Sequence, residues 1–170
     1  MFDSKYMTTG KLDDYIQSRK FEDYIYILLN KAYPEIKDRN VRIEWGRAGA
    51  NAAIIWSQNK IDIIRCNRGV RNWPEPVLYG LLSHELSHIA LGANLHLEVQ
   101  ADRDVIDRGL GPYLAIERLF TQKHFDHILL EGEDRYLGFM SIRKLLSSDD
   151  VHQLETLMSD LGMKPPIREE

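Results

Sequence analysis

Hydrophobic residues recur at helical spacing in the first part of the chain, and a proline then interrupts the pattern. The apolar side chains that share one helical face are Phe21, Ile25, Leu28, Leu29 and Ala32. This spacing predicts an N-terminal helix over residues 12–33. Pro34 ends it, because proline cannot continue a helical hydrogen-bond ladder.

Three short runs of β-branched and aromatic residues follow, at 41–45, 53–56 and 61–64. Glycine-rich or polar segments separate them, which is typical of strands joined by turns. The pattern predicts an antiparallel meander, and thus a small antiparallel or mixed sheet.

The rest of the chain returns to helical periodicity. Trp73-Pro74-Glu75-Pro76 predicts the start of a helix that runs from Val77 to about Leu91, and Gly92 is a suitable end. Further helices are expected over about 95–108, 112–123 and, in two segments, 139–161. The predicted fold is therefore α+β, with the sheet packed on the helices at 77–91 and 95–108 and with additional N- and C-terminal helices.

Composition narrows the functional classes. A length of 170 residues predicts a single domain over 1–170, and 44% hydrophobic with 28% charged residues is typical of a globular protein. A net charge of −4, with dispersed lysines and arginines, gives no basic footprint for nucleic acid. Apolar runs such as Ala52-Ala53-Ile54-Ile55 are far shorter than the ~20 residues that span a bilayer. No signal-peptide pattern is visible, and the single Cys66 fits a reducing compartment. We expect a soluble, cytoplasmic protein without nucleic-acid or membrane partners.

The strongest chemical signal is the H-E-x-x-H pattern His84-Glu85-Leu86-Ser87-His88 in the predicted helix 77–91. A spacing of four residues places both imidazoles on one helix face, close enough to share a metal ion. Glu85 lies about 100° round the helix, where it can act as the general base of a zinc hydrolase. The surrounding leucines predict a buried helix, in which two accidental histidines would need other polar partners.

A catalytic zinc takes three protein ligands and leaves one position open. The chain can reverse at Gly92, and Glu98 in the next helix is the first choice for the third ligand. His96 competes with Glu98, because imidazole also binds zinc and spacing alone cannot decide between them. Asp102 is a weaker candidate ligand, but it is well placed to accept the second N–H of a zinc-bound histidine.

The pair formed by His84-Glu85-Leu86-Ser87-His88 and Glu98-x-x-Ala101-Asp102 resembles the gluzincin clan of metallopeptidases. It is most similar to the minigluzincins, soluble relatives of the prenyl-protein and heat-shock-type metalloendopeptidases, over residues 61–109. The resemblance implies one Zn²⁺ held by His84, His88 and Glu98, water activated by Glu85, and a histidine supported by Asp102. It also implies that an edge strand, Ile61-Asp62-Ile63-Ile64, binds extended substrate by strand addition.

Two departures from these relatives matter. The transmembrane helices of the membrane members are missing, and so is their downstream Thr-His-Pro with Arg-Ile. The nearest equivalent is Ser141-Ile142-Arg143-Lys144-Leu145, which lacks the histidine. The group that stabilises the oxyanion is therefore unassigned, and the candidates by chemistry are His124, His127, Arg135 and Tyr136. A metzincin is excluded, because Leu91 and Asn94 occupy the positions of its glycine and third histidine.

These observations lead to a zinc endopeptidase of peptides or unfolded protein as the first hypothesis. The alternatives are a narrowly specific regulatory protease of the repressor-cleaving type and a non-catalytic, zinc-stabilised binding module. The tail over 164–170 adds a regulatory hypothesis, because Pro165-Pro166 favours an extended, substrate-like conformation. Ile167 would then fill a pocket, while Glu169, Glu170 or the terminal carboxylate would take the open zinc position. The competing interpretation is a disordered acidic tail.

Overall fold

A computed structural model describes residues 9–48, 51–56, 61–92, 98–128 and 135–166. The α+β class predicted from the sequence is confirmed. The chain divides into two compact units, residues 1–72 and 73–170, so that the single domain over 1–170 stays a prediction. None of the helices among the described residues combines the length and the apolar character needed to cross a bilayer.

The first unit begins with helix α1 (Thr9–Ala32), which starts three residues before its predicted bound. Four side chains of the predicted apolar set are buried, Phe21, Ile25, Leu28 and Leu29, while the fifth, Ala32, is half-buried. Phe21 packs edge-on against Trp45, with ring centroids 5.0 Å apart. The indole N–H of Trp45 donates to Ser18 Oγ at 2.8 Å, which fixes the helix against the first strand. The helix ends before Pro34, as predicted.

The three strands of the first unit form a mixed sheet. They are β1 (Asn40–Trp45), β2 (Ala52–Trp56) and β3 (Ile61–Cys66). Their spatial order is β1-β3-β2, with β1 parallel and β2 antiparallel to β3. The predicted meander is wrong, because β1 lies beside the third strand rather than the second. The β-branched runs and the turn segments between them predicted the strands but not their order.

The prediction that Ile61-Asp62-Ile63-Ile64 is an edge strand is also wrong. This segment is the start of β3, the central strand, and it pairs with β1 on one side along its whole length. Residues 62–64 pair with β2 on the other side. Because the backbone groups of a central strand are already used by its neighbours, an extended substrate cannot add to it. Asp62 lies in this central strand with its carboxylate buried, and Arg39 pairs with that carboxylate at 2.7 Å.

The second unit is mainly helical. Helix α2 (Glu75–Leu91) is buried through most of its length and ends at Gly92, whose φ of 90° favours glycine. Helix α3 (Glu98–Val105) continues into a π-helical turn over Ile106–Leu110, where Gly109 has a φ of 80°. The elements that follow α2 are α3 (Glu98–Val105), α4 (Gly111–Phe120), β4 (His127–Ile128), β5 (Arg135–Tyr136), α5 (Phe139–Leu145) and α6 (Ser148–Asp160). The described helices α2 to α6 agree in number and order with the helices predicted from residue 77 onward. The short strand pair β4–β5 was not predicted.

Close packing of α2 against α4 builds the framework of the second unit. Gly80 permits this approach, because a Cβ at that position would collide with the carbonyl oxygen of Tyr113. Apolar side chains of all five helices then form one core, among them Val77, Val105, Leu114, Ile142 and Leu154. The polar residues of the H-E-x-x-H pattern are held in the same buried helix, α2.

Candidate metal centre

Helix α2 places the two histidines of the H-E-x-x-H pattern side by side. His84 and His88 are buried, and their ring centroids lie 4.7 Å apart with the ring planes 84° apart. Their Nε2 atoms are separated by 3.1 Å. The two nitrogens therefore converge on one point, as the four-residue spacing predicts.

Helix α3 brings Glu98 to the same point. One carboxylate oxygen lies 2.7 Å from Nε2 of His84, and the other lies 3.3 Å from Nε2 of His88. The three side chains offer ligand atoms that all lie within 4.8 Å of one another. The structure thus brings together the three residues predicted as ligands, while the rival His96 lies outside the described residues.

The donor set fits zinc. Ligand atoms bound tetrahedrally at 2.0–2.1 Å lie about 3.3 Å from one another. The separations here, 2.7, 3.1 and 3.3 Å, equal that spacing or are shorter than it, so a small outward shift of the side chains would admit the ion. Two imidazoles and one carboxylate also form the protein ligand set of several catalytic zinc sites. The three side chains are already assembled, with His84 and His88 buried and Glu98 half-buried, so little rearrangement is needed for them to hold a metal ion.

Asp102 fixes the orientation of His84. Its Oδ1 lies 2.8 Å from Nδ1 of His84, the ring nitrogen that faces away from the cluster. An ionised carboxylate can only accept, so Nδ1 carries the proton and Nε2 faces His88 and Glu98. Burial lowers the pKa of His84, but the carboxylates of Asp102 and Glu98 outweigh it and raise that pKa to about 10. Asp102 thus occupies the position predicted for the acceptor behind a zinc-bound histidine.

The pKa values of two carboxyl groups at the cluster, Glu85 and Glu98, are shifted in opposite directions. Burial raises the pKa of Glu85, and the nearby His84 and His88 reduce that rise without cancelling it. Burial acts in the same sense on Glu98, but hydrogen bonds from the two histidines prevail and hold its pKa well below the usual range. One carboxylate is therefore kept ionised as a candidate ligand, while its neighbour on α2 has an increased proton affinity.

Sequence reasoning missed the groups behind Asp102. Arg118 of α4 donates through Nη2 to Asp102 Oδ1 at 2.7 Å, and the backbone N–H of Leu137 donates to Oδ2 at 2.9 Å. Burial raises the pKa of Asp102, but Arg118 and then His84 lower it below its ordinary value. A sequence signal for Arg118 exists, since Glu117-Arg118 interrupts the apolar run from Leu114 to Leu119. Leu137 contributes a backbone group, for which a side-chain pattern gives no signal.

The remaining predicted residues are distributed differently. The ring of Tyr136 lies under two cations, 5.4 Å from the guanidinium of Arg118 and 5.0 Å from Lys123 Nζ. The backbone carbonyl of His124 accepts from Met140 N at 3.0 Å. The side chains of His127 and Arg135 lie outside the described part of the structure, as do residues 167–170 of the tail. The oxyanion stabiliser therefore stays unassigned among the four candidates His124, His127, Arg135 and Tyr136.

Comparison of the chain with protein-family models, with curated proteins and with solved structures found no significant match. The resemblance to gluzincins therefore rests on two short motifs and on the geometry that joins them.

Proposed function

We propose that this protein is a zinc-dependent endopeptidase that hydrolyses peptides or unfolded protein segments. The observation that supports it best is the convergence of two buried histidines, His84 and His88, and the half-buried Glu98 on one point, with ligand atoms within 4.8 Å of one another. The H-E-x-x-H pattern adds a carboxylate beside this point, which a purely structural zinc site does not need.

In this proposal His84 and His88, together with Glu98, hold the metal. Bound zinc lowers the pKa of a water molecule toward ~7 and polarises the scissile carbonyl group. Asp102 accepts the Nδ1–H of His84 and so keeps Nε2 directed at the cluster. These three residues would hold the ion, and a catalytic zinc with three protein ligands would leave room for water and substrate.

Glu85 is the proposed catalytic base. It takes a proton from the attacking water as the water oxygen bonds to the carbonyl carbon. When the C–N bond breaks, Glu85 returns that proton to the leaving amine nitrogen. Burial raises the pKa of Glu85 in the metal-free protein, which is the direction that suits a group that accepts a proton and then returns it.

The two alternatives differ in what they require of this site. A repressor-cleaving protease would use the same residues on one specific substrate, so it is a narrower form of the proposal. A non-catalytic binding module would need the ligands but not Glu85. Because a buried carboxylate without a task is costly, burial of Glu85 favours the enzyme. A cytoplasmic location remains part of the proposal, and it is consistent with a single, buried cysteine.

Replacing the base tests the proposal. We expect Glu85→Gln to bind about one zinc per chain but to lose peptide hydrolysis by ~10²-fold or more, because an amide cannot accept the proton. Zinc content is measured by elemental analysis, and hydrolysis with a quenched fluorescent peptide library. The control is Glu75→Gln, which removes an exposed carboxylate from the first turn of the same helix and should leave both unchanged. Equal hydrolysis by Glu85→Gln and the wild type would exclude Glu85 as the base.

A further inference from the structure

The carboxylate of Asp102 is held at both oxygens. Oδ1 accepts from Nδ1 of His84 at 2.8 Å and from Nη2 of Arg118 at 2.7 Å. Oδ2 accepts from the backbone N–H of Leu137 at 2.9 Å. These donors come from α2, from α4 and from the segment after β5. The carboxylate group therefore cannot turn about its own axis without losing at least one hydrogen bond.

Arg118 is the centre of this arrangement. Its Nε donates to the carbonyl of Leu137 at 2.9 Å, its Nη1 pairs with Glu117, and its guanidinium lies over the ring of Tyr136. Arg118, Asp102 and Leu137 thus form a closed ring of three hydrogen bonds. A guanidinium suits this position, because its planar fork offers several donors in fixed directions.

Stability alone does not account for such a group of charges. Glu117, Arg118 and Asp102 are all buried, and desolvation of buried ions offsets most of the attraction between them. Apolar residues of similar volume are often equally stable in such places. This network differs from a purely structural one in a further contact: Asp102 also accepts a hydrogen bond from the imidazole of His84.

We infer that Arg118 is a positioning residue: it fixes Asp102 so that His84 keeps Nε2 directed at Glu98 and His88. The inference rests on the proposed function, in which His84 holds the metal. Without Arg118, Oδ1 of Asp102 keeps His84 as its partner among these three donors, so the carboxylate no longer holds the imidazole against a fixed group on that side and can shift together with it. The imidazole then loses its fixed orientation, and the ligand atoms no longer stay assembled.

A purely structural role predicts a different result. In that case the network only ties α3 and α4 to the segment after β5, and its loss lowers the melting temperature. Once folded, the variant would still present His84, His88 and Glu98 in the same way. Zinc affinity of the folded protein therefore separates the two roles, whereas thermal stability does not.

The test compares zinc dissociation constants of full-length variants, measured by competition with a chromophoric chelator at a temperature where each is folded by circular dichroism. Arg118→Met should weaken zinc binding by about tenfold or more, and Arg118→Lys by less, because it keeps the charge but loses the fork. Arg118→Lys also gives the comparison if Arg118→Met does not fold. Two controls should stay within about twofold of the wild type. Arg108→Met removes a guanidinium that pairs with Asp104, and Leu154→Ala destabilises the core of the same unit.

A second readout uses the metal-free protein. With ¹⁵N-labelled histidine, the Nδ1–H of His84 bonded to Asp102 should give a protected low-field proton signal in the wild type. Arg118→Met should shift or broaden that signal, while the two controls keep it. An unchanged signal and unchanged zinc affinity in folded Arg118→Met would overturn the inference. An equal loss of affinity in Leu154→Ala would also overturn it, because general destabilisation would then explain the effect.

Failure of the proposed function gives a distinct result. A wild type that binds zinc without hydrolysing peptides would contradict the peptidase and leave the role of Arg118 standing. A wild type that binds no zinc would contradict the proposed metal site, and the imidazole signal of the metal-free protein would still decide whether Arg118 orients His84.

Discussion

Each of the two compact units contains a cluster of arginines and carboxylates, and the two clusters differ in burial and in what they contact. In the first unit, Arg71 pairs with Asp13 and Asp14, and Arg68 also reaches Asp14. The side chains of Asp13 and Asp14 are 57% and 29% exposed. These bonds join α1 to the turn at 68–72 of the same unit, and Arg71 stacks over Trp45.

In the second unit the corresponding cluster is closed to solvent. The side chains of Asp102 and Arg118 are 0% and 5% exposed, and one oxygen of Asp102 is shared with His84. Exposed ion pairs contribute little to stability, whereas breaking a buried pair leaves an uncompensated charge. The two clusters therefore differ in consequence: loss of the exposed pairs affects stability slightly, whereas loss of the buried pair, in the proposed function, also affects the orientation of His84.

The largest expected effect comes from removing an imidazole of the candidate metal centre. We expect His88→Ala to reduce bound zinc from about one per chain to near zero and to remove the stabilisation that zinc confers. That stabilisation amounts to about 4 kcal/mol when free zinc is a thousandfold above its dissociation constant. Elemental analysis and melting curves with and without zinc measure both quantities. His152→Ala, which alters an exposed histidine of α6, should behave as the wild type does. Full zinc binding by His88→Ala would remove His88 from the ligand set.

A smaller effect separates the two arginine–carboxylate clusters directly. Asp102→Asn should weaken zinc binding by about 10–100-fold, because the amide no longer fixes the tautomer of His84. Asp14→Asn, in the first unit, should leave zinc affinity unchanged and lower stability by about 1 kcal/mol or less, since its pairs are partly exposed. Zinc titration and thermal denaturation of both variants decide the matter. Equal zinc affinities for the two variants would mean that burial of the second cluster has no consequence for the metal centre.

The metal centre could be predicted in part because its signals are local. The four-residue spacing of His84 and His88 places them on one helix face whatever the rest of the fold. Glu98 and Asp102 have the same spacing, so they share a face of the next helix. Arg118 is different, since its partners come from α3 and from the segment after β5. Only tertiary packing brings these groups together, so spacing along α4 does not reveal them.

The sheet shows the same limit. The strands at 41–45, 53–56 and 61–64 were identified because β-branched residues and turns are local features. Their order was not, because β1 and β2 both carry residues able to pair with β3. The edge position of Ile61-Asp62-Ile63-Ile64 was implied by the family resemblance alone, and the pattern of Asp62 among apolar residues gave no independent test of it. The pairing of Asp62 with Arg39 allows it to lie buried in the central strand.

A moderate effect of pH follows from the environment of His84. Its pKa rises from 6.5 to about 10 on folding of the metal-free protein. The protonated ring is therefore stabilised in the folded state, so this contribution is complete below about pH 6.5 and is lost as pH rises toward 10. We expect the melting temperature of chelator-treated wild type to approach that of His84→Gln across this range. A difference in melting temperature between the two proteins that grows toward pH 10 would contradict a raised pKa of His84 in the folded protein.

The smallest expected effect concerns the tail, whose last residues lie outside the described part of the structure. If residues 164–170 occupy the open zinc position, truncation after Met163 should raise peptidase activity while zinc content stays the same. The rise should be a few-fold or more, since a tethered segment acts at an effective concentration in the millimolar range. Initial rates on one fluorescent peptide, with both proteins at equal zinc content, measure it. Equal rates would identify the tail as solvent-exposed chain.

The most direct test of the metal centre is a crystal structure of the full-length protein grown with zinc, with data collected on both sides of the zinc absorption edge. The account predicts one anomalous peak at about 2.0–2.2 Å from Nε2 of His84, Nε2 of His88 and a carboxylate oxygen of Glu98, with no fourth protein ligand. A peak bound by His96 in place of Glu98, a fourth protein ligand, or no peak among these three residues would contradict it.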